Sequence, residues 1–445
     1  IILLVSKKYL REEKFMDKMA DVLGRAGAWC GQNKYLSAIK NAFQNFMPLT
    51  IAGAIGVLWC NVLVNESTGL GIFFKPIMAL EFLNPAFQAV NFCTISCITV
   101  GITLGIAQEI GVWNMGAEKA GYIPGLVGLA AWLSVTNTSH MVEGAKEAFT
   151  GIAGNELGAT GLFTGMIIGV LSVELFCFFE KQDALKIKMP EQVPPGVARA
   201  FEVLVPATIT LIITACIGSA CYNLTGLYLN DVIKNGIQGP LGAVGATIPG
   251  VMIIYLVIML FWLVGIHGNN MLSAVKEALF TPLALENVEK FNKGEKPTNI
   301  INMYFLQMCG EFGGSGVTIG LVIAIMIFGK REDNKAIATL SLVPGLFNIN
   351  ETVTFGIPMV LNPILGIPFV FACLVTILVG YVLTVIGFCP VACLTVPWTT
   401  PPIVFGFLAT GANVMGAVTQ AILIVVSTVI YVPFLISYEK YQNKQ

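Results

Sequence analysis

One carboxylate, Glu351, lies in the stretch NINETVTFGIP, where its surroundings call for a chemical explanation. From residue 336 to 438 the chain contains no Lys, Arg or Asp and no other Glu. An unpaired carboxylate in a membrane interior costs roughly 2.5–3.5 kcal/mol even on the scale derived from insertion experiments. The flanking Asn348 and Asn350 indicate a polar pocket that suits a hydroxylated ligand. The alternatives are that Glu351 caps a half-helix or lies at the membrane surface.

Two further stretches could contribute to the same pocket. His267 follows a long apolar run, in GIHGNN, and no residue from 235 to 275 carries a formal charge. A histidine in this position is either hydrogen-bonded in the core or exposed to a cavity, and the flanking glycines and asparagines favour the cavity. Trp398 and Thr399 lie in VPWTTPP, where proline-broken backbone could present the indole to the apolar face of a sugar. An interfacial Trp is the alternative.

The residue types together indicate a neutral sugar as the ligand. Amide, carboxylate, imidazole and hydroxyl side chains supply donors and acceptors for sugar hydroxyls, and the Trp supplies a stacking face. No cationic side chain stands beside these residues in the sequence, which argues against an anionic ligand. The predicted substrate-binding residues are Glu351, His267, Asn350, Asn348, Trp398 and Thr399.

The elements that must hold these residues are membrane-spanning helices. The 445 residues have a mean hydropathy of +0.78, with 56% hydrophobic and only 11% charged residues, which excludes an ordinary soluble protein. About 20 apolar residues cross the hydrocarbon core as a helix, and barrel-type alternation is absent. The clearest apolar runs are Pro48–Val64, Val90–Ala107, Tyr122–Val135, Leu157–Phe179, Phe201–Tyr222, Ala243–Ile266, Val317–Phe328, Ile364–Phe388 and Ala417–Ile436.

Several other functions are excluded by what the sequence lacks. The net charge of −1 is uninformative about partners, but the absence of a basic block argues against nucleic acid. No C-x-x-C pair occurs, and two histidines at these spacings cannot build a zinc site with the cysteines. A phosphate-binding G-x-x-x-x-G-K-[ST] loop is also missing. We expect no metal, no cofactor and no nucleic-acid partner.

The chain divides into two unlike membrane halves near Pro194. In the first half, glycines at four-residue spacing in GLFTGMIIG allow helices to approach closely. In the second half, Gly and Pro interrupt apolar sequence at GIHGNN, GEFGGSG, NINETVTFGIP and VPWTTPP, which indicates re-entrant segments around a polar pocket. We therefore predict a dimerisation and scaffold domain in residues 47–240 and a substrate-transport domain in residues 241–436.

The remaining segments lie at the two ends of the chain. Residues 1–46 contain basic residues between apolar ones at helical spacing, which predicts interfacial amphipathic helices. A solvated tail is the alternative. Residues 437–445 form a short tail with two lysines. Lys and Arg concentrate in these two ends and in the loops around residues 181–199 and 330–335, so the positive-inside rule assigns both termini to the cytoplasm.

Four segments resemble the membrane subunit, enzyme IIC, of bacterial phosphotransferase-system (PTS) sugar transporters, in its lactose/cellobiose (diacetylchitobiose) family. They are NKYLSAIKNAFQNFMPLTIAGAI, GGSGVTIGLVIAIM, KAIATLSLVPGLFNINETVTFGIPMVLNP and VPWTTPP. The resemblance implies an all-α integral membrane protein of the elevator type in a bacterial cell membrane. It would form a homodimer with about ten transmembrane helices and two re-entrant hairpins.

The resemblance also implies the reaction and the partners. A permease of this family imports a β-linked disaccharide such as cellobiose, diacetylchitobiose or lactose and presents the 6-hydroxyl for phosphorylation. The donor is a phosphocysteine on enzyme IIB, which receives its phosphoryl group from phosphoenolpyruvate through enzyme IIA. The sequence contains no long soluble segment, so we expect enzyme IIB on a separate chain. The chain is thus predicted to be the membrane component of a sugar phosphotransferase.

The resemblance extends to individual residues. Glu351 matches the family's Asn-x-Asn-Glu carboxylate, His267 its Gly-Ile-His-Gly histidine and Trp398 its Pro-Trp-Thr-Thr-Pro-Pro indole. Glu351 and His267 are therefore the predicted catalytic residues at the reacting hydroxyl: the carboxylate accepts its proton, and the imidazole donates to the same oxygen or orients the carboxylate. Thr352 departs from the family pattern, which usually has Pro after this Glu.

A proton-coupled sugar symporter is the main alternative function. Broken helices around one intramembrane carboxylate suit such a transporter, and Glu351 would then carry a proton instead of contacting a reacting hydroxyl. A symporter accumulates unmodified sugar, whereas a PTS permease depends on a cytosolic phosphoprotein. A channel explains neither the backbone breaks nor Glu351.

Overall fold

The fold is almost entirely helical, as predicted. The computed structural model describes residues 21–66, 71, 74–140, 149–190, 192–357, 359–360, 362 and 364–443. Within these ranges the only sheet is an antiparallel ribbon in which β1 (Ser139–His140) pairs with β2 (Phe149–Thr150). The predicted all-α class is confirmed. Residues 1–20, with the first part of the predicted amphipathic segment, lie outside the described ranges.

The chain up to residue 225 contains nine α-helices in the described residues. They are α1 (21–32), α2 (Lys34–Leu58), α3 (Asn84–Asn91), α4 (Ile98–Met115), α5 (Ala117–Ala120), α6 (Ile123–Val135), α7 (Gly154–Leu157), α8 (Ala159–Glu180) and α9 (Pro195–Thr225). The side chain of Asn33 caps α2 by accepting from the backbone N–H groups of Tyr35 and Leu36, each at 3.1 Å. Helix α2 then runs without a break across residue 46, where the sequence predicts the membrane domain to begin.

The rest of the chain contains twelve more α-helices in the described residues. They are α10 (Leu229–Ile233), α11 (Gly239–Gly245), α12 (Ile248–Leu263), α13 (Gly268–Met271), α14 (Ser273–Asn292), α15 (Met303–Gly310), α16 (Ile319–Phe328), α17 (Glu332–Leu346), α18 (Glu351–Gly356), α19 (Gly366–Val385), α20 (Val404–Ala409) and α21 (Val414–Gln442). Many are short because glycines and prolines end them inside apolar sequence.

Long apolar helices are distributed over both halves. Five in the described residues are long and apolar enough to cross a membrane, namely Lys34–Leu63, Ala159–Glu180, Pro195–Thr225, Gly366–Val385 and Val414–Gln442. Three bent helix pairs also pass this test, so up to eight spans are present if each pair is one span. These helices coincide with apolar runs predicted from the sequence.

The first hydrophobic core joins α2, α4, α6 and α8. Its centre includes Ile102, Ile106 and Phe176, which are completely buried. At Gly165 a Cβ atom would lie 2.2 Å from the Thr103 hydroxyl oxygen on α4, so α8 approaches α4 too closely for any side chain. The close helix contact predicted from the glycine spacing is confirmed at this position.

The second core is built from the helices that follow residue 250. Helices α12, α15, α16, α19 and α21 bury large side chains such as Tyr255, Phe305 and Tyr431. Helix α14 packs on α2 and α8 and so connects this half with the first. The second core thus lies entirely beyond residue 250, and the first lies mainly before residue 240 but includes Leu285, Cys393 and Leu394. This arrangement suits the predicted domain boundary at residue 240.

Candidate functional site

The central feature of the second half is a break between α15 and α16. Gly313, Gly314 and Gly316 have φ values of +68°, +87° and +76°, which L side chains rarely adopt. Helix α15 therefore ends, and helix α16 begins, inside the hydrophobic core. The segments Met303–Val317 and Ile319–Phe328 meet there at an angle of 58°. Backbone groups that leave a helix in an apolar interior need other hydrogen-bond partners.

Two asparagines supply those partners. Asn348, itself at φ +64°, accepts from the backbone N–H of Gly313 at 2.6 Å. Its amide N–H group donates to the carbonyl oxygens of Trp398 and Thr400 at 2.5 and 3.0 Å. The amide of Asn350, which is buried, donates to the Ser315 carbonyl at 2.8 Å. Asn348 and Asn350 thus connect three interrupted segments of the chain.

These segments enclose a cavity of about 260 Å³. Its walls come from the turn at residues 267–270, from α14 and α15, from the break at 314–315, from residues 348–351 and from Trp398. All four breaks predicted from the sequence contribute to the lining. The cavity therefore brings together five of the six predicted site residues.

His267 and Glu351 lie next to each other in this cavity, with Nε2 of the imidazole 3.9 Å from Oε1 of the carboxylate. Nδ1 of His267 accepts from the backbone N–H of Asn270 at 3.3 Å, so in the neutral ring the proton belongs on Nε2. The Trp262 ring, 4.4 Å from the imidazole between centroids, holds its orientation. The N–H donor of His267 thus points towards Glu351.

Glu351 was expected to be an unpaired carboxylate in an apolar interior, and the structure gives it a different environment. Its side chain is 47% exposed, and that of His267 is 37% exposed, because both open into the cavity. Glu351 also begins α18, where the N-terminal end of a helix favours negative charge. The carboxylate is consequently hydrated or ligand-accessible and has a histidine beside it.

The cavity contains one cation that the sequence analysis missed, and the expectation of no neighbouring cationic side chain was wrong. Lys276, on α14, forms a buried ion pair with Glu311, which follows α15. The Tyr255 hydroxyl donates to the same Glu311 oxygen at 2.7 Å, and Lys276 also donates to Asn269 at 3.2 Å. Because Glu311 neutralises Lys276, the pair adds no net charge with which to attract an anion.

The polar network continues from this pair to the backbone break. The Asn269 amide donates to the Ser315 hydroxyl at 2.9 Å, and the Ser315 carbonyl is the acceptor of Asn350.

Trp398 is 43% exposed and lines the cavity, as its predicted stacking role requires. Thr399, by contrast, is half-buried and is not among the lining residues. Among the described residues, no group of three or more His, Cys, Asp or Glu could hold a metal ion.

The chain is similar to known proteins over most of its length. A family profile described as "Phosphotransferase system, EIIC" matches residues 40–373. The chain is 33% identical over 433 residues to the "PTS system oligo-beta-mannoside-specific EIIC component" of Bacillus subtilis (strain 168), covering 96% of this chain and 94% of that relative. It is 29% identical over 486 residues to the "PTS system cellobiose-specific EIIC component" of Lactococcus lactis subsp. lactis (strain IL1403), covering 96% and 98%.

A solved structure shares the fold. The crystal structure of the transporter ChbC, "the IIC component from the N,N'-diacetylchitobiose-specific phosphotransferase system", superposes with a TM-score of 0.85 at 29% sequence identity. The match covers 93% of this chain and 95% of that chain. The similarity therefore extends over most of both chains.

Proposed function

We propose a function for this chain, which belongs to the phosphotransferase system EIIC family, a family of bacterial membrane proteins. It is the membrane permease subunit of a phosphoenolpyruvate-dependent sugar phosphotransferase system. It imports a β-linked disaccharide and presents the 6-hydroxyl of one ring to enzyme IIB, a separate chain that is phosphorylated by enzyme IIA. The observation that carries the proposal is the cavity in which Glu351, His267 and Trp398 come together from distant parts of the sequence.

The chemistry needs a positioned hydroxyl and an acceptor for its proton. The sugar oxygen attacks phosphorus, the O–P bond forms, the S–P bond to the cysteine of enzyme IIB breaks, and the cysteine leaves as a thiolate. Glu351 takes the hydroxyl proton, and His267 donates from Nε2 to the sugar oxygen or holds the carboxylate in place. Phosphoryl transfer depends mostly on positioning and charge stabilisation, which suits this small set of side chains.

The other predicted site residues divide into two roles. Trp398 stacks on the apolar face of a sugar ring. Asn348 and Asn350 act mainly by position, because their amide N–H groups already donate to backbone carbonyls and keep Trp398 and Glu351 in place. Thr399, the residue after Trp398, does not line the cavity. Its predicted contact with the sugar therefore requires the ligand to extend beyond the cavity wall.

The substrate class rests on chemistry and on the relatives. Three proteins similar to this chain carry the names oligo-β-mannoside, cellobiose and lactose in their descriptions, and the solved structure names N,N'-diacetylchitobiose. All four names describe neutral β-linked sugars. The ion pair of Lys276 with Glu311 leaves the cavity without an unpaired cation among the described residues, which also favours a neutral ligand.

The transport mechanism that we propose is an elevator movement. Residues 47–240 form the scaffold and dimer contact, and residues 241–436 carry the sugar across the membrane. The two hydrophobic cores and the bent pair at Met303–Val317 and Ile319–Phe328 support this division. We also propose about ten spans and two re-entrant hairpins, beyond the five to eight candidate spans found in the described residues. Both termini, including the interfacial residues 1–46 and the tail 437–445, lie on the cytoplasmic side.

The proposal is tested with membrane vesicles that contain the protein and are loaded with enzyme IIB, enzyme IIA and the phosphoenolpyruvate system. Uptake of labelled cellobiose, diacetylchitobiose, lactose and β-mannobiose is followed with and without the phosphoryl donor. We expect one of them to appear inside as the 6-phosphate, only when the donor is present. Accumulation of free sugar under a proton gradient, without the donor, would instead establish the symporter and make Glu351 a proton carrier.

A further inference from the structure

The polar groups that line the cavity differ in how much of their hydrogen-bonding capacity the protein itself uses. Asn348 and Asn350 donate to backbone carbonyls, and Lys276 is paired with Glu311. His267 and Glu351 serve the proposed reaction. Glu277 has no place in that mechanism, although it also lines the cavity.

Glu277 presents a carboxylate to the cavity without a basic partner. It lies on α14, where Ser273, Lys276 and Glu277 share one face at helical spacing and all line the cavity. Its Oε2 atom accepts from the Thr281 hydroxyl at 2.5 Å, which is the one hydrogen bond found for this side chain among the described residues. None of the ion pairs in those residues includes Glu277. An ionised carboxylate has about four acceptor sites, so most of its capacity is available to a ligand.

Gln307 is a second side chain in the cavity whose hydrogen-bonding groups are available to a ligand. It lies on α15 four residues after Met303, so both side chains are on one face of the helix, and both line the cavity. No hydrogen bond from the Gln307 amide to another described residue is found. A carboxylate, an amide and a thioether that the proposed reaction does not use therefore line the cavity, and such groups suit the hydroxyls and the C–H surface of a sugar ring.

Glu277 is displaced along α14 from the proposed reaction centre. The Ser273 hydroxyl donates to the Asn270 carbonyl at 3.0 Å, which fixes the start of α14 beside the turn that contains His267. Glu277 follows Ser273 by four residues, so it lies about 6 Å farther along the helix axis. That distance is comparable to the width of one monosaccharide ring.

We propose that Glu277, Gln307 and Met303 form a second subsite, which binds the ring of the disaccharide that is not phosphorylated. This inference rests on the proposed function and adds to it a determinant for disaccharides over monosaccharides. Glu277 accepts from ring hydroxyls, Gln307 donates to and accepts from neighbouring hydroxyls, and Met303 contacts the ring C–H groups. The subsite rejects a second ring that bears a carboxylate, such as a uronic acid, because the two like charges would repel each other.

The test measures binding, without phosphorylation, to the full-length protein purified in detergent. The probe is whichever of cellobiose, β-mannobiose, diacetylchitobiose and lactose binds the wild-type protein most tightly, paired with the methyl β-glycoside of its phosphorylated ring. We expect Glu277→Gln to weaken disaccharide binding roughly 10- to 100-fold, as for the loss of a hydrogen bond to a charged group. Binding of the methyl glycoside is expected to change less than about twofold.

Matched variants make the test specific. Glu289→Gln makes the same chemical change on the same helix, at a partly exposed residue paired with Lys293, and is expected to bind both sugars normally. Gln307→Leu is expected to reduce disaccharide binding selectively, as Glu277→Gln does. If Glu277→Gln does not fold, Gln307→Leu serves as the test variant. Unchanged disaccharide binding in a folded variant, or an equal loss for both sugars, would overturn the subsite. If none of the disaccharides binds to the wild-type protein, the proposed function itself fails.

Discussion

In the first half of the chain the functionally informative glycines lie inside a continuous helix, whereas in the second half they interrupt helices. Gly165 keeps helical backbone and lets α8 approach Thr103 on α4. Gly313, Gly314 and Gly316 instead have positive φ and end α15 within the core. The same residue type thus permits close helix packing in the first half and opens the second half around a cavity. The comparison indicates that the backbone conformation of the glycines, more than their number, distinguishes the tightly packed helices from the helices that surround the cavity.

Glu351 also differs from carboxylates that are paired with Lys or Arg. In the first half, Glu180 contacts Lys119 at 2.8 Å and Arg199 at 3.0 Å, and Glu174 contacts Lys34 at 2.6 Å. In the second half Glu351 has only a histidine beside it, at 3.9 Å. Pairing with Lys or Arg stabilises a carboxylate but occupies its acceptor sites. A carboxylate that must bind a substrate has to keep those sites accessible.

The largest effect is expected when the buried ion pair of the second half is broken. Lys276→Met leaves the Glu311 carboxylate, which is 18% exposed, without its cation, and such a loss destabilises a protein by about 3–5 kcal/mol. Lys34→Met breaks a pair of the first half that is 25–30% exposed, and we expect a loss of about 1 kcal/mol. Thermal and denaturant unfolding in detergent measure both. Equal destabilisation by the two variants would contradict the expectation that the more buried ion pair contributes more to stability.

A rescue variant identifies the cause of that loss. If the unpaired charge of Glu311 is what destabilises Lys276→Met, then adding Glu311→Gln should restore part of the unfolding free energy, because a neutral amide is less costly to bury than an unpaired carboxylate. No recovery in the double variant would mean that the lysine stem acts mainly through packing.

Alanine substitutions of glycine provide a second test of the contrast. In Gly314→Ala the added methyl lies at φ +87° and 2.6 Å from Cβ of Asn350, so it strains the backbone by about 1–3 kcal/mol and displaces the residue before Glu351. In Gly165→Ala the methyl meets a side-chain hydroxyl far from the cavity. We expect Gly314→Ala to lose sugar binding and Gly165→Ala to lose thermal stability while the remaining folded protein binds sugar normally. The reverse pattern would contradict the assignment of the two halves.

Replacing Asn348 tests whether the broken segments must be held together. Asn348→Ala removes three hydrogen bonds to backbone groups, each worth about 1 kcal/mol, and places alanine at φ +64°. Asn348→Gly removes the same bonds but tolerates that backbone conformation. We expect calorimetry to give about a tenfold loss of sugar affinity for Asn348→Gly and a larger loss for Asn348→Ala. Normal affinity in both variants would show that the cavity keeps its shape without this side chain.

The smallest expected effect concerns the stacking face. Trp398→Phe retains an aromatic ring, so we expect sugar affinity to fall only a few-fold, and Trp398→Ala to lower it about tenfold, in line with about 0.5–1.5 kcal/mol for an aromatic contact. Trp113→Phe changes a Trp that is 58% exposed on α4 and serves as the control. Equal affinities in Trp398→Ala and the wild-type protein would remove the indole from the site.

The sequence predicts part of this site because some of its residues stand out locally. Glu351 is conspicuous in a long uncharged stretch, and His267 and Trp398 lie beside helix-breaking residues. Lys276 and Glu277 are not conspicuous, since α14 also contains other charged residues and resembles a loop or a solvated helix. One signal was present: Ser273, Lys276 and Glu277 follow GIHGNN at the spacing of a single helix face.

The sequence could not predict which charged side chains form ion pairs or which amides already donate to the backbone, and the reason is physical. Lys276 meets Glu311 only because α14 and α15 pack together, and no local pattern records a contact between residues so far apart in the chain. The amides of Asn348 and Asn350 look available in the sequence, but the folded backbone supplies their acceptors. The helices themselves were predictable because their apolar length is a local property.

The most direct test of the central claim is the phosphorylation rate of Glu351→Gln at saturating sugar, measured with purified enzyme IIB phosphorylated in advance. The amide preserves the size of the side chain but cannot accept the hydroxyl proton, so we predict a fall of at least about 100-fold together with weaker sugar binding. Glu277→Gln, measured in parallel, should bind the disaccharide less tightly but phosphorylate it at nearly the wild-type rate once saturated. Near-wild-type turnover in Glu351→Gln would exclude Glu351 from the reaction and contradict the account.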